Sequence, residues 1–454
     1  MSPSPALNRL RPPGFLEGLG FCCLAFFIFG IFSAAIDFIP GVSPFRPSLM
    51  AALFGIVIMA ISGRDDVFKH RISLTLIALT LWFVVCVPFA VWPGGAVHTI
   101  LNQWLIALGG GILTGGLIFS SQQFRRIAHL IGYCAVILST VALAKNDRNI
   151  EGRIVVTESR YGNPNDLAVV LLVALPFLGF MALRKGNGIR RPLAIAGFIP
   201  AVLVIMNTGS RAALIGASIA LLAVFVNVGL VQRLKLLVVV SIVLGMLMIV
   251  MPGYIEDRFL TTFGREPVVL DNLTKSSLDS TESRRRLLMD SITITCQHPV
   301  FGVGPGNFMA AQNSLAIGRG ELTSDWHVSH NTYTQVSSES GLPGLALFLL
   351  ALAFALRSTS RILRLAVSAD SVEWEDIKMM AFALRVSTVA FLACAFFASM
   401  AYLPILTVLF GLAISLESCA NNLLGVFQST SISEARTLSI PCTRRRYGYL
   451  PERG

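Results

Sequence analysis

The stretch from Ser283 to Gly344 gathers the side chains best suited to chemistry: Arg284, Arg285, Arg286, His298, His327, His330 and Glu339. Arginine presents a planar fork that grips phosphate oxygens in pairs and does not deprotonate, so clustered arginines suit a phosphorylated ligand. Histidine exchanges its proton near neutral pH, so His330 suits a general base or an acceptor-orienting group. A lone histidine is more often structural, and that reading covers His70, His98, His129 and His298. His330 differs because it stands beside the arginine-bearing loop and just ahead of an apolar segment. Glu339, at the start of that segment in ESGLPG, is either a supporting site residue or an acid held by the helix dipole. The run FGVGPGNF marks a tight turn. It follows no strand and lacks the full phosphate-loop fingerprint, which argues against a nucleotide site.

Two further places carry more than chain topology. In NTGSRAA, Arg211 stands at the joint between two apolar segments, among Gly209, Ser210 and Ala212, small neighbours that let a bulky anion approach. An arginine snorkelling from a helix end is the bland alternative. In ESRYGNPNDLA, Asn163 and Pro164 read as the cap and first residue of a helix. Capping leaves Arg160 and Asp166 unexplained, so Arg160, Asn163 and Asp166 are candidates for a supporting role.

The elements that must hold these residues are membrane helices. The chain has 454 residues, 54% of them hydrophobic and 13% charged, with mean hydropathy +0.71. A soluble domain carries about 25% charged residues. The apolar residues fall in blocks of roughly 18 to 25, the length that crosses a bilayer, and do not alternate as barrel strands do. The expected fold is an all-α integral membrane protein of about 12 transmembrane helices. Spans fall near Phe21–Ile39, Pro47–Ser62, Ser73–Trp92, Leu101–Ser120, Ile127–Ala144 and Asn165–Leu183. Others fall near Leu193–Asn207, Ala212–Val231, Leu236–Met251, Val336–Leu356, Met380–Ala398 and Leu403–Leu424. A long loop, 252–330, separates the ninth and tenth spans. Residues 1–427 form one membrane domain and 428–454 a basic tail.

Alternate loops carry the basic residues: Arg64, Lys69 and Arg71; Arg125 and Arg126; Arg184, Lys185, Arg190 and Arg191; Arg233 and Lys235; Arg357, Arg361, Arg364 and Lys378; and Arg444 to Arg446. By the positive-inside rule both termini are cytoplasmic and the long loop is outside. Most of the net charge of +11 is then topogenic, and no nucleic-acid partner is needed to account for it. The first apolar segment lacks a cleavage site and reads as a retained anchor. The cysteines show no metal or disulfide spacing.

GNPNDLA, TGSRAA and HPVFGVGPGNF…HNTY…ESGLPG, in this order and on this topology, resemble the O-antigen ligase and polymerase superfamily. The resemblance implies a GT-C-like membrane glycosyltransferase of the bacterial inner membrane, with its long loop in the periplasm. It implies transfer of a glycan from an undecaprenyl pyrophosphate donor to an acceptor hydroxyl, on lipid A core, another glycan or a protein, without metal or cofactor. By the resemblance Arg211 and Arg284 match the arginines that hold the donor pyrophosphate, with Arg285 or Arg286 as neighbouring registers, and His330 matches the loop histidine. Met289 departs from the aromatic residue common in relatives, which bears on helix packing more than on chemistry. Within the superfamily an O-antigen ligase, an O-antigen or exopolysaccharide polymerase and a protein O-oligosaccharyltransferase all fit. From other classes, a transporter of two matching six-helix halves is disfavoured by the insertion after the ninth span. A purely structural membrane subunit has no need of Arg211 or of the loop's basic cluster.

Overall fold

The computed structural model describes residues 14–39, 41, 46–250, 272–320, 328–365 and 371–438. His327, Cys442, Arg444 to Arg446 and the segment 251–271 of the long loop lie outside the described residues. Within them the chain is an all-α membrane protein without a named strand. Arg148 and Ile154 form an isolated bridge.

The helices are α1 (Phe15–Ser33), α2 (Pro47–Ile61), α3 (Arg71–Cys86) and α4 (Pro93–Thr99), which continues through a π-helical turn into α5 (Leu105–Leu117). Then come α6 (Ser121–Lys145), α7 (Pro164–Leu183), α8 (Arg190–Asn207), α9 (Arg211–Asn227) and α10 (Leu230–Val250). After them follow α11 (Asn272–Gln297), α12 (Phe308–Gly318), α13 (Thr332–Arg364), α14 (Val372–Cys394) and α15 (Pro404–Leu438). Among the described residues, 9 helical stretches are long and apolar enough to cross a membrane, and Pro47–Ile61 and Arg211–Asn227 are shorter apolar helices.

Each span read from the sequence falls on a helix, with shifted ends. The first helix stops at Ser33 instead of Ile39, because Ala34 turns left-handed at φ 53° and the chain enters a 3-10 turn over Ala35–Phe38. Helix α14 starts at Val372, well before Met380, because the Ser371 side chain caps it by accepting from the Trp374 amide at 3.2 Å. The last helix runs past Leu424 into the stretch read as tail. The long loop is also more than loop, since α11 and α12 lie within it. Polar composition hid α11. Its apolar residues Leu287 and Ile294 recur at helical spacing and pack with Val303, Phe308 and Ala311 in a small core of their own.

The main core joins most of the other helices. Within it α5 and α15 approach closely. A Cβ on Gly411 would fall 2.3 Å from the Gly111 carbonyl oxygen, so only glycine lets these two backbones touch. At one end of the bundle, buried Asp376 of α14 accepts from Arg125 of α6 at 2.9 Å and from Arg184, just past α7, at 2.8 Å. The ends of α6, α8 and α14 and the starts of α7, α9 and α13 lie at the opposite end, and the candidate residues collect there.

Candidate functional site

His330 sits one residue ahead of the cap of α13. Asn331 is that cap: its side-chain oxygen accepts from the amides of Tyr333 at 2.9 Å and Thr334 at 3.1 Å. The cap of this helix is thus Asn331 and not His330. His330 is partly buried and has a left-handed backbone, φ 53°. That conformation is uncommon outside glycine and needs surrounding contacts to hold it.

The contacts come from the link between α14 and α15. The Ser399 hydroxyl accepts from the His330 amide at 2.9 Å. The Thr332 amide donates to the Ala395 carbonyl at 2.8 Å, and the Thr332 hydroxyl to that of Ala398 at 2.7 Å. The Asn331 amide group donates to the Phe396 carbonyl at 3.1 Å, and the Tyr333 hydroxyl to that of Leu392 at 3.0 Å. Residues 395–402 thus wrap the first turn of α13 and fix where His330 stands.

The same link reaches Arg211. Ser210 caps α9 by accepting from the Ala213 amide at 3.3 Å, which puts Arg211 at the first helical position. The thiol of Cys394 donates to the carbonyl of Ala212 at 3.4 Å. Gly216 leaves room for this approach, since a Cβ there would lie 2.5 Å from the Cys394 sulfur. The structure in this way brings Arg211 and His330 to the two sides of one short segment. Arg211 is partly buried.

Arg284 arrives by way of α11, which packs on α13. The Thr295 and Ser337 hydroxyls meet at 2.9 Å, and farther along both chains the Leu342 amide donates to the Pro299 carbonyl at 2.8 Å. The pairing advances in the same direction on both, so Arg284 lies toward the His330 end of α13. Arg284 is partly buried on the face that also carries Leu287 and Ser291. Arg285 points away: its side chain is 76% exposed and pairs with Glu282 at 3.9 Å. Arg286 is exposed as well, and so is Met289 on the outer side of α11, where its size disturbs no core packing.

The glycine-rich run is framework. Gly341 takes φ 69°, which breaks α13 ahead of Pro343. Backbone groups beside the break find partners in other parts of the chain. The carbonyls of Ser338 and Glu339 accept from the amides of Val303 and Gly304, both at 2.9 Å, and the Ser340 carbonyl accepts from the Trp82 indole at 2.8 Å. The Leu342 amide is met by Pro299, as above. Buried polar backbone must be paired in this way, and here the loop substitutes for a missing helical turn. Phe301 stacks on Phe89 with ring centroids 3.9 Å apart. The glycine amides are thereby committed within the protein.

Glu339 belongs to that framework. Its carboxylate accepts from the Gly306 amide at 2.8 Å and from the Tyr402 hydroxyl. Burial, and then the neighbouring Glu339, push the Tyr402 phenol well above its ordinary value, so it stays a donor. Glu339 is buried inside α13, eight residues into a helix that begins at Thr332 rather than near Val336.

Arg160, Asn163 and Asp166 lie at the start of α7 and just ahead of it. Asn163 caps α7, accepting from the Asn165 amide at 2.8 Å. Arg160 grips Asp37 with two side-chain bonds, 2.9 and 2.8 Å, and a backbone bond at 3.1 Å. Burial pushes the Asp37 carboxyl up, but the Arg160 bonds and charge outweigh it and hold it below the usual carboxylate range. Arg160, Tyr161 and Asp166 line a cavity of about 50 Å³ whose other wall includes Met400, Leu403 and Pro404.

Several residues that shape this end were not singled out from the sequence. Arg153 is buried and donates to the Thr208 carbonyl and, at 2.8 Å, to the Asn165 side chain, bracing the turn that leads to Arg211. Its signal was a basic residue in a loop that the charge rule places outside. Buried Asp290 pairs with Arg319 at 2.7 Å and ties α11 to the end of α12. Ser399 and Tyr402 carry no motif at all. Among the described residues no three of His, Cys, Asp or Glu gather as a possible metal site.

Residues 196–349 match the family model described as O-antigen ligase. The match takes in Arg211, Arg284, His330 and Glu339, and stops short of Arg160 on one side and Ser399 on the other. No curated protein matches the chain.

Proposed function

We propose that the chain, whose residues 196–349 match the family model described as O-antigen ligase, transfers a glycan from undecaprenyl pyrophosphate to an acceptor hydroxyl, with lipid A core as the acceptor. The observation that carries this reading is the short Cys394–Ser399 segment, which holds the Ala212 carbonyl beside Arg211 at one side and the His330 amide at the other. In this reading the donor pyrophosphate and the attacking hydroxyl meet beside that segment.

In the proposed reaction the acceptor oxygen attacks the anomeric carbon. The bond from that carbon to the pyrophosphate oxygen breaks, and its electron pair leaves with undecaprenyl pyrophosphate. His330 takes the hydroxyl proton and later releases it to water. General-base help of this kind contributes about 10²- to 10⁴-fold. Arg211 and Arg284 meet the charge that grows on the leaving pyrophosphate, a task for which fixed bidentate donors suffice and no metal is called for. In this reading the site faces the periplasm, with the 252–330 loop, while both termini and the 428–454 tail are cytoplasmic and the protein resides in the bacterial inner membrane. The bias of lysine and arginine among alternate loops supports that orientation.

The test supplies purified protein in lipid nanodiscs with an undecaprenyl-pyrophosphate-linked glycan and, separately, lipid A core, a second lipid-linked glycan, and a protein acceptor. Transfer to lipid A core supports the ligase reading. Chain extension on the second glycan instead makes the protein a polymerase, and labelled protein makes it an oligosaccharyltransferase. No donor consumption with any acceptor refutes the proposal.

A further inference from the structure

We infer that Ser399 and Ser329 are positioning residues that aim His330, through a chain of two hydroxyls locking its backbone left-handed. This rests on the proposed role of His330 as base. The family match ends at residue 349, so Ser399 lies outside it.

Proton counting fixes the direction of the chain. A serine hydroxyl has one proton to give. The Ser329 hydroxyl gives its proton to the Asn331 carbonyl at 3.0 Å. The Ser329 and Ser399 oxygens are 3.0 Å apart, so Ser399 must be the donor between them. The remaining lone pairs of Ser399 then accept from the His330 amide at 2.9 Å. The chain closes on itself: His330 amide to Ser399, Ser399 to Ser329, Ser329 to Asn331. Ser329 is buried, at 2% exposure, so water does not readily replace its part.

This loop spans His330 from both sides. It holds the residue before and the residue after, and it satisfies the amide of His330 itself, whose φ of 53° is left-handed for a residue that has a Cβ. Without the Ser399 oxygen the amide loses its partner and the backbone is released toward the ordinary right-handed or extended regions. Relaxation to either swings the Cα–Cβ bond and carries the imidazole away from its place. The hydroxyls touch no substrate in this account. They act through the direction of His330 alone.

The experiment measures glycan transfer by the full-length protein with a lipid-linked glycan donor. The enzymes compared are wild type, Ser399→Ala, Ser399→Thr, Ser329→Ala and His330→Ala, with the double variant Ser399→Ala/His330→Ala. Ser399→Ala is expected to lower kcat roughly tenfold, the loss of one ordinary hydrogen bond, with KM for the donor unchanged. Ser399→Thr keeps the hydroxyl and should recover most of the rate. Ser329→Ala should shift kcat in the same direction as Ser399→Ala, and it keeps the inference testable if Ser399→Ala fails to fold. In the His330→Ala background Ser399→Ala should cost nothing more, because there is no imidazole left to aim. A wild-type kcat in both alanine variants overturns the inference, as does a Ser399→Ala loss that adds in full to that of His330→Ala, since that is the mark of a merely structural residue. If His330→Ala itself turns over at the wild-type rate, the base reading has failed, and that outcome is read from the single variant alone.

Discussion

The Cys394 thiol donates to the Ala212 carbonyl across 3.4 Å, fastening the end of α14 to the first turn of α9. One residue before Ala212 stands Arg211, and just past Cys394 the chain grips His330. Residues 119 positions apart in sequence (330 − 211) are in this way set on one support.

That support makes Arg211 sensitive to geometry as well as charge. Arg211→Lys keeps the charge and loses the fork, so it should still slow transfer. Arg211→Ala and Arg284→Ala should each cost on the order of 1.5–3 kcal/mol in kcat/KM, the worth of a charge-assisted contact. Arg285→Ala should stay near wild type, because that side chain is exposed and turned toward Glu282. Steady-state kinetics on the three alanine variants decides it, and a larger loss in Arg285→Ala than in Arg284→Ala would move the register by one residue.

The glycine-rich loop should matter for folding before it matters for chemistry. A Cβ on Gly341 would sit 2.0 Å from the Val300 carbonyl oxygen, at a φ of 69°. Gly341→Ala is therefore expected to give little folded protein. Tyr402→Phe removes a donor from the buried Glu339 carboxylate and should lower stability by about 1–3 kcal/mol. Thermal unfolding in detergent measures both, and unchanged midpoints would show that the loop does not hold α13 together.

The Arg160–Asp37 pair should give an acid-dependent term. A carboxylate whose folded value is depressed adds stability that is complete above its ordinary value, about 4, and fades as pH falls through the folded value. The unfolding midpoint of wild type should therefore drop on acidification below about pH 4. Arg160→Met should be less stable near neutrality and should lose part of that slope. Parallel pH curves for the two proteins would remove Asp37 from the account.

Orientation is tested by Ser277→Cys in a Cys296→Ser background. In cells with a permeable outer layer, a membrane-impermeant thiol reagent should label it. Labelling that requires rupture of the inner membrane reverses the proposed topology.

Much of the fold was legible because apolar blocks of membrane-spanning length need no tertiary information to be recognised. The charge on alternate loops added an expected orientation. Caps were legible where a single residue type does the work, as Asn163 ahead of Pro164. What the sequence concealed depends on partners distant along the chain. Helix α11 is polar and reads as loop until Leu287 and Ile294 find Phe308. Glu339 reads as a site residue until Gly306 and Tyr402 are seen to surround it. Arg160 reads as spare charge until Asp37 is placed 2.8 Å away. Serines such as Ser399 have no signature at all, since a hydroxyl acquires its role only from what stands opposite.

The most direct test of the account is single-turnover transfer from an undecaprenyl-pyrophosphate-linked glycan by purified wild type and His330→Asn, with donor binding measured on the same preparations. Asparagine keeps hydrogen bonding at the position but cannot take a proton at neutral pH. Donor binding should be unchanged and the transfer rate lower by about 10²- to 10⁴-fold. Transfer by His330→Asn as fast as by wild type would contradict it.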